Sequence, residues 1–129
     1  MKITYGASVL MACTAVAAAG LGFAPTASAA ANWVAISASP SSNKFDVAPG
    51  SSSDEAQQNV MSFCQSKGHP DCMYVISGQQ CVAAMVVNNQ AFGGIGATNK
   101  DAEKAAENAA NSATGATQME GDSGCVTDF

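Results

Sequence analysis

The chain contains no arginine, and its five lysines stand against ten aspartates and glutamates. Nucleic-acid and anionic-membrane surfaces are bound by clustered basic side chains that neutralise phosphates. With no such cluster, neither partner is expected. A single histidine, His69, leaves little for metal ligation or general-base chemistry. Phosphate-loop and dinucleotide fingerprints are also missing: the glycines at 93, 94 and 96 precede a helix but bring no Lys-Ser/Thr pair and no third spaced glycine. No cofactor and no metal are expected. Aromatic residues make up only 6% of the chain and charged ones 12%, so the core is built from small aliphatic side chains.

One apolar run stands out, from Ala7 to Phe23, with Lys2 before it and Ala27-Ser28-Ala29 after it. A basic start, an apolar middle and small residues at the A-x-A spacing describe a secretory signal peptide. Residues 1–29 are read as that signal, removed on export, and 30–129 as one small domain. Leu10-Met11-Ala12-Cys13 resembles a lipobox, but apolar sequence continues beyond Cys13. The run is also alanine- and glycine-rich and shorter than the ~20 apolar residues of a membrane span. A secreted or otherwise extracytoplasmic protein follows, without stable membrane insertion once the signal is gone.

Removing the signal removes Cys13 and leaves Cys64, Cys72, Cys81 and Cys125, an even count suited to disulfides in an oxidising compartment. Four lysines against ten acids give the remaining chain a net charge of about −6. Such a chain is expected to be a soluble monomer. Three pairings of four cysteines are compatible with the sequence. Cys64–Cys72 is favoured because it closes easily across seven intervening residues, and Cys81–Cys125 is what then remains. In the loop-entropy model the first contributes roughly 2.5 kcal/mol and the second roughly 4.

Residues 33–38 read as a strand and 39–43 as a turn; a second strand, 44–48, stops at Pro49-Gly50. Ser52 with Glu55 has the capping-box spacing, and Ala56, Val60, Phe63 and Cys64 place an apolar stripe on the helix that follows, up to Gly68. Residues 72–76 and 81–87 read as a hairpin around Gly78, and 91–96 as a glycine-rich strand after the Asn88-Asn89 turn. Thr98 caps a second helix whose inner face, including Ala102, Ala106 and Ala110, offers only methyl groups. Residues 114–124 read as a polar loop, and 125–127 as a short last strand.

The order strand–strand–helix–strand thus occurs twice, an internal duplication. Trp33-Val34-Ala35-Ile36 echoes Cys81-Val82-Ala83-Ala84, and Phe45 echoes Phe92. Ser52, Ala56 and Val60 echo Thr98, Ala102 and Ala106, and Asp71-Cys72 echoes Gly124-Cys125. The expected fold is α+β, with one mainly antiparallel sheet, both helices on one face, and disulfide staples.

Trp33-Val34-Ala35-Ile36 with Ser39, the helix ending in Cys64, Asp71-Cys72, Cys81-Val82-Ala83, and Gly94-x-Gly96-Ala97-Thr98 before an Ala/Glu-rich helix resemble the domain of unknown function 4189 family. That family consists of small exported bacterial proteins, and the resemblance covers essentially all of the chain after the signal. The alanine-rich leader also resembles those of mycobacterial secreted proteins. The chain departs from the family pattern in having no tryptophans in its glycine strand and no cysteine near the end of the second helix. The second departure bears on the partner of Cys125.

Three constellations invite a chemical reading. Gly121-Asp122-Ser123-Gly124 matches the nucleophile tetrapeptide of trypsin-like proteases, with His69 and Asp101 upstream. A triad needs a buried carboxylate and a preset oxyanion hole, and a polar loop in so short a chain offers neither; a turn is expected. Cys64, His69, Cys72 and Cys81 have donor types that zinc takes, but their spacing lacks the usual close pair and thiols oxidise outside the cytoplasm. His69 is then a solvated loop residue. Trp33 and Tyr74 are expected to be packing residues rather than a sugar platform. The expected function is non-enzymatic protein binding, of effector or inhibitor type. A small extracytoplasmic hydrolase and a structural envelope component are the alternatives.

Overall fold

The structure, a computed structural model, describes residues 31–129. The expected signal peptide and Cys13 lie outside the described residues. The elements run β1 (Trp33–Ser39), β2 (Lys44–Gly50), α1 (Ser53–Ser66), β3 (Met73–Gly78), β4 (Cys81–Val87), β5 (Gln90–Gly96), α2 (Asn99–Thr114) and β6 (Glu120–Cys125), followed by a short 3-10 turn, Val126–Asp128. The fold is α+β, with antiparallel pairing throughout.

The strands divide between two three-stranded sheets, β2-β1-β3 and β5-β4-β6, where a single sheet was expected. Each sheet carries one helix. Ala35 and Ala48 face Ala56 and Val60 of α1, whereas Val34 and Ile36 face Val82 and Ala84 of the other sheet. Cys81, Ala83, Met85 and Val87 in turn face Ala102, Ala106 and Ala110 of α2. The layers are therefore α1, first sheet, second sheet, α2. The central strands demand this: β4 is apolar and buried at all seven positions, so it needs cover on both faces.

The pairing register defines the duplication. Trp33 opposes Gly50 in β1–β2, as Cys81 opposes Gly96 in β4–β5. Val34 opposes Gly78 in β1–β3, as Val82 opposes Gly124 in β4–β6. The first hairpin turns through residues 40–43 and the second through Asn88 and Asn89 alone, both at positive φ (53° and 64°) as a tight hairpin turn requires. The repeats are thus out of step by two residues across this turn.

Two of the expected echoes change accordingly. Phe92 is equivalent to Asp46, not to Phe45, and Gly124 is equivalent to Gly78, so Cys125 has no counterpart in Cys72. A one-residue slip moves a side chain to the other face of a strand. Phe45 packs between the sheets, and Phe92 packs under α2.

Two further expectations are corrected. Residues 72–76 and 81–87 do not form a hairpin, because β3 pairs with β1 and β4 with β5 and β6. Nor is 120–124 a loop: Glu120–Cys125 is a strand along β4. Its glycines leave room for close neighbours, since a Cβ at Gly124 would lie 2.6 Å from Val47 Cγ1. Local composition favours a turn there, and packing overrides it.

The helix ends follow the local code. The Ser52 side chain accepts from Glu55 N–H, and that of Thr98 from Asp101 N–H. The chain leaves α1 through Gly68 (φ 76°) and α2 through Gly115 (φ 75°), the left-handed conformation that ends helices. The disulfides join Cys64 to Cys72 and Cys81 to Cys125, so α1 is tied to the loop before β3, and β4 to β6.

Candidate functional site

The C-terminal end of α1 is where the two repeats diverge most. On the α1 face of the first sheet, Ser37 of β1 and Asp46 of β2 stand directly opposite each other, and both are buried. One oxygen of the Asp46 carboxylate accepts from Lys67 Nζ, and the other lies 3.3 Å from His69 Nε2. The Asp46 side chain is only 1% exposed, that of His69 17% and that of Lys67 51%. His69 is therefore not the solvated loop residue expected from the sequence. Among the described residues Ser37 Oγ has no hydrogen-bonding partner, which costs stability, and Asp46 Oδ2 has only the His69 contact, which is not aligned as a hydrogen bond.

Lys67 links this buried acid to the surface. Its Nζ lies 5.1 Å from the centroid of the Phe63 ring, within cation–π range. Phe63 is 49% exposed and borders a groove of about 430 Å³ between α1 and β2, lined by Ala48, Pro49, Asn59, Ser62, Phe63 and Ser66. Asp46 thus holds the lysine in place from beneath, and the Cys64–Cys72 bridge anchors the segment that carries Lys67 and His69.

Beyond His69, Asp71 organises the β1–β2 turn. Its carboxylate accepts from the hydroxyls of Ser39 and Ser41 and from Ser41 N–H. The Ser39 hydroxyl above all holds the Asp71 carboxyl below its ordinary value.

In the second repeat the same corner is apolar. The register places Met85 where the first repeat has Ser37, Phe92 for Asp46 and Val87 for Ser39. Counted from Gly68 and Gly115, Ala116 stands for His69 and Met119 for Cys72. Met85, Val87, Phe92, Ala116 and Met119 pack together under α2. On the helices, Ala109 and Ala113 replace Phe63 and Lys67.

The motifs singled out in the sequence are not assembled into other sites. Ser123 lies in β6 and donates its hydroxyl to the Glu103 carboxylate; His69 faces Asp46, and Asp101 sits in the first turn of α2. The zinc-type set is likewise divided, since Cys64 and Cys72 are bonded to each other and Cys81 to Cys125. At Gly94 a Cβ would lie 2.3 Å from Ala106 N, so the backbone of α2 covers the glycine strand. Trp33 and Tyr74 pack beside the α1 cluster. Asp46 was the residue missed. It alternates with Ala48 on the buried face of an otherwise ordinary strand, and an in-register alignment of the repeats would have set it against Phe92.

A family model described as Domain of unknown function (DUF4189) matches residues 33–128, and the chain belongs to that family. No curated protein and no solved structure matches it.

Proposed function

We propose, taking membership of the DUF4189 family as the premise, that the chain is an exported, non-enzymatic protein-binding module. Its binding surface is the Phe63–Lys67 rim above Asp46 and His69, and its partner inserts an apolar side chain into the adjoining groove. The observation that carries this reading is the asymmetry between the repeats. The second repeat closes the equivalent corner with Met85, Phe92 and Met119, so the scaffold itself has no need of a buried acid, a lysine, a histidine and a half-exposed phenylalanine. Exposed aromatic anchors beside a basic side chain are features of protein interfaces. The two disulfides suit an oxidising compartment and support export, as does the resemblance of the leader to mycobacterial secreted proteins.

The test compares equivalent surface positions. Phe63→Asp should abolish capture of partners from the medium and envelope fractions, whereas Ala109→Asp, its counterpart on α2, should leave capture intact. Equal loss in both variants, or no loss in either, would sink this reading. The nearness of Asp46 to His69 favours a second one, a small hydrolase, because a carboxylate beside an imidazole is half of a hydrolytic triad. The hydroxyl opposite Asp46, Ser37, is wholly buried where no substrate reaches it. Hydrolysis of chromogenic esters or peptides that disappears in His69→Ala, with the fold intact, would bring that reading to the front.

A further inference from the structure

The two open sides of the sandwich are guarded differently. On one side β2 lies across from β6, with Val47 against Gly124. Lys44 and Pro49 mark β2, and Glu120 and Asp122 mark β6. Charges and proline on edge strands block the addition of further strands. Phe45, Val47 and Val126 fill the layer between the sheets here.

On the other side β3 lies across from β5, with Val75 and Ile76 against Gly93. Neither strand contains a charged residue or a proline. Both are edge strands among the described residues. Met73, opposite Ala38, and Ile95, opposite Val82, stand in the layer between the sheets and are 41% and 49% exposed. Ile95 also borders a groove of about 740 Å³ with Trp33, Ser77, Gly78, Gln79 and Gln80, none of them charged.

We infer that the β3–β5 side is an interface between two copies of this chain, in place of the expected monomer. The copies are related by a two-fold axis perpendicular to the sheets, so β3 pairs antiparallel with its mate and β5 with its own. Three features select a second copy as the occupant. First, two unguarded edges are stacked about 10 Å apart, the usual sheet spacing; one extended peptide would cover one edge, and a second copy presents the matching pair. Second, a chain with twice as many acids as lysines repels its own kind except along a neutral strip, and this side provides one. Third, the side is self-complementary. Met73 lies at one end of β3, and Ile95 beside Gly78 at the other. Antiparallel pairing brings each Met73 to the partner's Ile95 groove, twice over, as a two-fold interface requires. The layer between the sheets then runs unbroken through both copies.

Sedimentation equilibrium of the chain as isolated, together with amide hydrogen exchange, tests this. The expected result is twice the chain mass, with slowed exchange along β3 and β5. Met73→Lys and Ile95→Lys should each halve the mass and speed exchange at those strands while circular dichroism stays unchanged. Ala109→Lys, on the exposed face of α2, should remain a dimer. A single-chain mass up to roughly millimolar concentration, the range of weak association, overturns the inference. So does a dimer unaffected by both lysine variants. Slow exchange along β3 in a single-chain species would assign the edge to residues 1–30 or to another protein, and would overturn it as well.

Discussion

The first repeat and the second share one scaffold and solve its packing in opposite ways. Both helices bury residues at i, i+4 and i+8: Ala56, Val60 and Cys64 in α1, and Ala102, Ala106 and Ala110 in α2. Where the second repeat has Gly94 beneath α2, the first has Ala48 beneath α1. The helix that buries only alanines sits so close that its backbone occupies the space of a Gly94 side chain. Between the sheets the first repeat supplies the bulk and the second the glycines: Val47 fills the space over Gly124, and Val75 and Ile76 fill the space over Gly93. Volume is conserved across the interface though not within either repeat, as close packing requires. At the C-terminal ends of the helices the exchange is one of polarity instead. An apolar plug in one half corresponds to an acid, a lysine, a histidine and a disulfide in the other. A duplication therefore serves as its own control, separating what the fold needs from what one half has added.

The strongest challenge to this comparison is Gly94→Ala, which gives the second repeat the methyl group that Ala48 carries in the first. The new Cβ meets the backbone of α2 rather than a movable side chain. A loss of about 3 kcal/mol or more is expected in urea unfolding, against about 1 kcal/mol for Ala48→Gly. Similar small losses at both positions would mean that the helices sit at equal depth.

The disulfides come next. Replacing Cys81 and Cys125 together by serine should cost about 4 kcal/mol, and replacing Cys64 and Cys72 about 2.5, since the closed loops differ in length. Their sequence separations are 44 and 8. Unfolding of the two double variants gives the order directly; an inverted order would show that the short bridge does more than restrict the unfolded chain.

Transplanting the apolar corner is a sharper test, of smaller effect. Ser37→Met, Asp46→Phe and His69→Ala together install the second repeat's residues in the first. Lys67 is half exposed and stays solvated, and replacing buried polar partners together by well-packed apolar groups is neutral or stabilising, by roughly 1–4 kcal/mol where a charge is removed. A stabilised variant that no longer captures partners would identify the corner as functional. A variant destabilised by a similar amount would make it structural.

The smallest effect is in acid. Asp71 titrates below its ordinary value in the folded chain because its Ser39 and Ser41 partners favour the carboxylate. The stability it contributes is complete above the ordinary aspartate pKa of about 3.9 and is lost as pH falls through the lower, folded value. The second repeat has Gln118 at the equivalent place. Asp71→Gln should therefore flatten the loss of stability below about pH 4, measured by thermal unfolding at stepped pH. An unchanged acid limb would locate that sensitivity elsewhere.

Much of the scaffold was legible because its signals are local. Ser52 and Thr98 satisfy backbone donors within one turn, and Gly68 ends α1 at a positive φ. The alanine stripe of α2 announced a close approach to a sheet. The candidate site was not legible for two reasons. Its members come from β1, β2 and the loop after α1, which only pairing brings together. The repeats also had to be aligned across a turn that differs by two residues, and a slip of one residue set Phe92 against Phe45 instead of Asp46.

The sequence by itself determined which segments become helices, where they start and stop, and that the chain repeats. Each of these rests on spacing within a few residues, on caps, or on composition. Tertiary structure alone decided that six strands make two sheets, that Gly121-Asp122-Ser123-Gly124 is a strand, and that Asp46 meets Lys67 and His69. The physical reason is the same in all three. A strand's partners and its two faces are fixed by whatever covers them, and β4, apolar on both faces, had to be covered twice.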